Sequence, residues 1–149
     1  MRAHGTTVMT VLLLGATSRG IAGQAPAPER TIAVGQSLRG DLTKQDVLRR
    51  ADSAYAQSWV TSGVAGRTVT IDLASDTFDP YLFVTGPGFE REPQDDDSGG
   101  SCNARLTVTF PRDGDYTIVV STADRYGLGP FTLSVTRGAK PKSLTGCDR

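Results

Sequence analysis

The chain has 149 residues, with 16 Lys and Arg against 16 Asp and Glu, one His and two Cys. That length allows one domain plus a targeting segment, and interspersed charges of both signs exclude the clustered positive field that binding to a phosphate backbone needs. With 17 Gly, 8 Pro and 38% hydrophobic residues but few long apolar runs, the composition is that of a turn-rich β protein able to build a core.

Arg2 and His4 give a short positive start, and Val8 to Ala16 is an apolar run of the length of a signal-peptide core, too short to span a bilayer. Small and polar residues follow from Thr17 to Ala25, and cleavage after Gly23 keeps Pro26 away from the new N-terminus. Residues 1–23 are read as a removable signal peptide, and the product as secreted or periplasmic with no membrane span. Their removal takes Arg2 and Arg19 and no acid, so the mature chain carries two more acids than bases. It also takes His4, the one histidine. Residues 24–30 (QAPAPER) read as a flexible, proline-rich lead-in.

From residue 31 the pattern is alternation punctuated by turns, the behaviour of a sandwich or barrel. Ser37 to Leu42 reads as a short strand. Lys44 to Ala54 has helix-forming residues, but its apolar stripe lasts barely two turns, and so short a helix is marginal; it reads as a loop with at most one helical turn. Tyr55, Gln57 and Trp59 mark a strand. Arg67 to Leu73 is the clearest, with Val69, Ile71 and Leu73 on one face. Tyr81 to Thr85 follows, with Leu82 and Val84 inward, and then Arg105 to Phe110, with Leu106, Val108 and Phe110 inward. Arg112-Asp113-Gly114 turns the chain into Tyr116, Ile118 and Val120, because Gly accepts the positive φ of a tight hairpin. Phe131, Leu133 and Val135 line the last strand. About seven to eight short antiparallel strands with apolar faces must pack as two sheets, so the expected fold is all-β, a jelly-roll-like antiparallel sandwich. Its core is expected from these inward residues together with Trp59.

Cys102 and Cys147 are the only cysteines, and in an oxidising compartment one pair most simply forms one disulfide. Without histidine they make a poor zinc site, and their spacing is not that of a CxxC redox pair. The loop they close is long, so the chain-entropy model assigns the bond roughly 4 kcal/mol. It would tie the tail, residues 138–149, to the body.

The ordered set of motifs resembles the bacterial pre-peptidase C-terminal domain family. The matching residues are Gly40 and Leu42 in LRGDL, Tyr55, Gly66 with VTIDL (Val69 to Leu73), FDPYL (Phe78 to Leu82), DDSGG (Asp96 to Gly100), NARL (Asn103 to Leu106), Pro111 with DGDYTIVV (Asp113 to Val120), and GPFTLSV (Gly129 to Val135). They cover residues 31–137. The cysteine pair and its tail depart from that pattern. The resemblance implies a small secreted β-sandwich that accompanies peptidases and other exported proteins.

Five acids attract attention: Asp95, Asp96 and Asp97 in a Gly/Ser-rich loop, and Asp76 and Asp79 in a turn one strand earlier. Carboxylates converging with free carbonyls are what a Ca²⁺ site requires, and similar collagen-binding modules of clostridial collagenases bind calcium. The other reading is that Asp79 and Asp96 accept backbone N–H hydrogen bonds and shape turns. Phe89 and Tyr126 lie in expected loops, where they could present flat faces to a carbohydrate or peptide. Catalysis has little to work with, since a mature chain without histidine has no Ser-His-Asp or Cys-His arrangement. The expected function is that of an exported, non-catalytic module that binds an extracellular protein or polysaccharide, or is accessory to a secreted peptidase. The alternatives are a structural or assembly domain for a separate exported partner and a small carboxylate-dependent hydrolase.

Overall fold

The computed structural model describes residues 29–147. Residues 1–23, read as a signal peptide, and most of the lead-in lie outside those residues. Nine strands follow in chain order: β1 Ser37–Leu42, β2 Val47–Arg49, β3 Ala54–Gly63, β4 Thr68–Ala74, β5 Pro80–Thr85, β6 Gln94–Asp95, β7 Ala104–Thr109, β8 Gly114–Thr122 and β9 Gly129–Arg137. They form a four-stranded sheet ordered β1-β9-β4-β7 and a five-stranded sheet ordered β2-β3-β8-β5-β6. All the strand pairings are antiparallel. The all-β sandwich read from the alternation is therefore the observed architecture.

The period-two pattern places the core. Val69, Ile71 and Leu73 of β4, Leu82 and Val84 of β5, Ile118 and Val120 of β8, and Leu133 and Val135 of β9 are all fully buried between the sheets. Directly opposed residues share a face, so each inward residue sets the direction of its partner across the ladder. Tyr116 closes one end of this core. Its buried ring lies 4.5 Å from that of Phe110 and 5.4 Å from that of Phe89. Its hydroxyl accepts from the Arg112 N–H at 3.2 Å and has the carbonyls of Arg112 and Pro87 at 2.8 and 2.9 Å as acceptors for its own proton. Gly63 is needed beside it, because a Cβ there would come within 2.6 Å of the Tyr116 ring.

Three details differ from the sequence reading. Lys44 to Ala54 holds β2 rather than only a loop, pairing Val47, Leu48 and Arg49 with Ala56, Tyr55 and Ala54. Its apolar stripe has no core to bury against, since Val47 is 71% exposed, whereas the edge of β3 offers backbone partners. The approach is fixed by Asp46, whose carboxylate accepts from the Thr43 N–H at 2.8 Å, the Thr43 hydroxyl and the Gln57 amide. Second, β6 is a further strand only two residues long, too short to show a period. Third, Trp59 flanks the core half-buried, where β3 has outrun β2 and is bordered instead by residues 30–32, which bridge to Val60.

The core makes a direct prediction. Ile118→Ala, which empties a site buried at the centre of β8 opposite Trp59 and Val84, is expected to lower unfolding free energy by about 2 to 5 kcal/mol. Urea unfolding of the two proteins measures the difference.

Candidate functional site

The strand directions send the loops 41–53, 75–79, 95–103 and 123–128 to one end of the sandwich. All five acids singled out in the sequence, and Tyr126, lie at that end. Phe89 lies at the other, stacked edge-on against Tyr116, so it flanks the core and does not offer a free face. Tyr126 is 54% exposed, with positive φ (58°) and its ring 6.5 Å from that of Tyr55.

The acids share an end but not a cage. Among the described residues, no three of Asp76, Asp79, Asp95, Asp96 and Asp97 bring carboxylate oxygens within 4.8 Å of one another. One Asp95 oxygen accepts from the N–H groups of Ser98 and Arg105, both at 2.9 Å, which closes the Gly/Ser-rich loop onto the start of β7. Turn-shaping thus falls to Asp95 where Asp96 was expected, because the register Leu82↔Asp95 aims that side chain at the loop. Around Asp79 the main chain is the connector: its N–H donates to Asp124 at 2.7 Å and its carbonyl accepts from Ala123 at 2.8 Å. Asp76 lines a shallow cavity of about 350 Å³ with Arg39 and Thr132. Asp97 lies within 4.8 Å of both sulfurs of the Cys102–Cys147 disulfide, which joins Cα atoms 4.4 Å apart.

Sequence reasoning overlooked a different surface, the outer face of the five-stranded sheet. Leu82 and Val84 point inward, so Tyr81 and Phe83 point out, with ring centroids 6.0 Å apart. The Arg49 guanidinium stands 4.9 Å above the Phe83 ring and pairs with Asp52 at 2.6 Å. On the other side the Tyr81 hydroxyl donates to Gln94 Oε1 at 2.7 Å. Arg49, Asp52, Tyr81, Asp96 and Thr122 line a cavity of about 320 Å³ at the loop-bearing end of this face. The signal was present in the YLFV alternation, which names two outward aromatics as surely as it names two inward aliphatics.

Electrostatics set this face apart. Burial pushes the Tyr81 phenol above its ordinary value of 10.0; Arg49 opposes the shift, while Asp96, Asp52 and Glu92 add to it. Among these four charged neighbours, three are carboxylates.

Two antiparallel sheets packed face to face, with no helix among the described residues, define the class as an all-β sandwich of the pre-peptidase C-terminal type in fold. No family model matches the chain, and no curated protein sequence is similar to it. Among solved structures it is similar to the pre-peptidase C-terminal domain of a collagenase from Bacillus anthracis, at 13% identity and a TM-score of 0.52, over 75% of this chain and 98% of that one. It is also similar to PliG of Aeromonas hydrophila, a periplasmic inhibitor of g-type lysozyme, at 19% identity and a TM-score of 0.50, over 74% of this chain and 100% of that one. At these identities the likeness is one of fold, and at that level it agrees with the resemblance read from the motifs.

Two measurements check the site. Melting in millimolar calcium and in chelator is expected to give coincident curves, because the carboxylates are separated, whereas a binding cage would raise the midpoint with free metal. Tyrosinate absorbance on raising pH is expected to show one late-ionising phenol that disappears in Tyr81→Phe. The unfolded chain loses this proton first, so the residue's contribution to stability falls as pH rises from 10.0 until the folded phenol ionises.

Proposed function

We propose that this protein is an exported, non-catalytic binding module that seats an extracytoplasmic ligand on the outer face of its five-stranded sheet. The observation that carries the reading is the outward pair Tyr81 and Phe83, backed by Arg49 and rimmed by Asp52, Asp96 and Gln94. Adjacent aromatics on an outer sheet face make the kind of apolar patch that marks interaction sites, and Tyr and Arg are enriched among the residues that carry interface energy. The disulfide supports an oxidising compartment. Both fold neighbours are named for proteins that work beside other proteins, one as a domain of a collagenase and one as an inhibitor of an enzyme, and neither is named for a catalytic activity of its own. At the loop end Asp95 is spent on backbone N–H groups and one Asp52 oxygen on Arg49, which supports a role for these two acids in shaping the fold.

The test is retention of the purified protein on polysaccharide, collagen, cell-wall material and immobilised exported proteins. Retention on at least one support is expected, with loss in Tyr81→Leu/Phe83→Leu, whose folding is checked by its melting curve. No retention on any support would leave the structural reading in its place, and equal retention of the variant would move the ligand off this face.

A further inference from the structure

We propose that the occupant of this face is a lysine- or arginine-bearing segment of a basic protein, an inference that rests on the binding role just given. The argument begins with which hydrogen-bonding valences the face still has to offer. The Tyr81 hydroxyl spends its proton on Gln94, and the Arg49 guanidinium is committed to Asp52 and to the Phe83 ring. Of the carboxylates beside the Tyr81 ring, Asp96 and the second oxygen of Asp52 line the cavity with acceptors still to offer, while Arg49, which keeps further N–H donors, is held over Phe83. A sugar hydroxyl asks for a donor and an acceptor together, whereas an ammonium or guanidinium brings only donors. An acceptor rim around an aromatic floor suits the cation, whose methylene stem lies along a ring while its head reaches the carboxylates.

Arg49 itself supports the assignment. The protein already places a guanidinium over Phe83 and pins it with a carboxylate, so the floor holds a cation in the geometry proposed for the ligand. The neighbouring ring of Tyr81 has no cation over it and has Asp96 on its side of the cavity. A second observation is the polarity of the whole domain. The loops 41–53, 75–79, 95–103 and 123–128 carry nine Asp against four Lys and Arg. At the opposite end, 29–36, 64–67, 86–93, 111–115 and Arg137 carry five acids and five bases. The aromatic face therefore opens toward the negative pole, which steers a basic partner to it.

Titration calorimetry at low and at physiological salt, with a lysine-rich peptide, its lysine-acetylated copy, a glutamate-rich peptide and a neutral oligosaccharide, tests the assignment. The lysine-rich peptide is expected to bind, to weaken as salt rises, and to lose its affinity on acetylation. Tyr81→Leu is expected to cost about tenfold. Asp96→Asn, an exposed change that disturbs no turn, is expected to act in the same direction, and Glu29→Gln at the far end is expected to change nothing. If the oligosaccharide or the acidic peptide binds and Tyr81→Leu abolishes it, the binding face stands and the basic occupant is wrong. If the lysine-rich peptide binds equally well to Tyr81→Leu, its attraction is diffuse and the assignment fails. If no probe binds, the assignment fails as well.

Discussion

The longer strands of this domain obey one constraint: a residue that fills the space between two sheets forces its neighbours on either side to face away from it. The gap between the sheets must be filled at close to crystal density by apolar side chains, and the chain meets that demand with Val, Ile and Leu at every second position of β4, β5, β8 and β9. The same geometry therefore writes the outer surfaces. On β4 the residues between the core positions are Thr70 and Asp72, on β9 Thr132, Ser134 and Thr136, but on β5 they are Tyr81 and Phe83. Alternation alone cannot explain why β5 carries aromatics where its counterparts carry hydroxyls. The sequence has spent apolar surface where the fold does not need it.

The loops obey a different economy. Where strands end, backbone N–H groups lose their ladder partners and must find others. Short acidic side chains supply them here: Asp46 serves Thr43, Asp95 serves Ser98 and Arg105, Asp113 serves Ala65, and Asp124 serves Asp79. Four of the thirteen aspartates are accounted for in this way. Each carboxylate so used is already solvated by donors of the fold, so an abundance of Asp in loops says less about metal than about turns. Asp52 and Asp96 differ, since neither caps a turn and both line the cavity beside Tyr81.

The strands with four or more alternating positions were legible because one face of each is dry. β2 and β6, three and two residues long, carry no readable period and exist only because a longer neighbour offers its edge. Which of three consecutive aspartates would cap the loop before β7 was equally hidden, because the answer depends on the register of β6 against β5 and not on residue type. Phe89 looked like a loop aromatic and was one, yet the chain folds it against Tyr116, a contact set by residues far apart in sequence. The aromatic face was legible in principle. Reading Leu82 and Val84 as core is the same act as reading Tyr81 and Phe83 as surface, and only the first half of that deduction bears on the fold.

The two outer faces are not equivalent, and the tail explains the difference. From Gly138 the chain turns back over the four-stranded sheet: the Gly138 carbonyl accepts from the Thr70 hydroxyl, the Lys140 N–H donates to that hydroxyl's oxygen, and the Lys140 ammonium meets Asp72 at 2.7 Å. Arg105 adds a bond to the Pro141 carbonyl, and the Cys102–Cys147 disulfide fastens the end. That sheet is thus covered by the protein's own chain along β4 and β7, and its exposed residues are polar enough to need no other cover. On the five-stranded sheet the outward rings of Tyr81 and Phe83 are half-buried and are met by the side chains of Arg49 and Gln94. The fold thus straps its polar face with its own tail, and on the other sheet it leaves two aromatic rings partly in solvent, where a ligand can meet them.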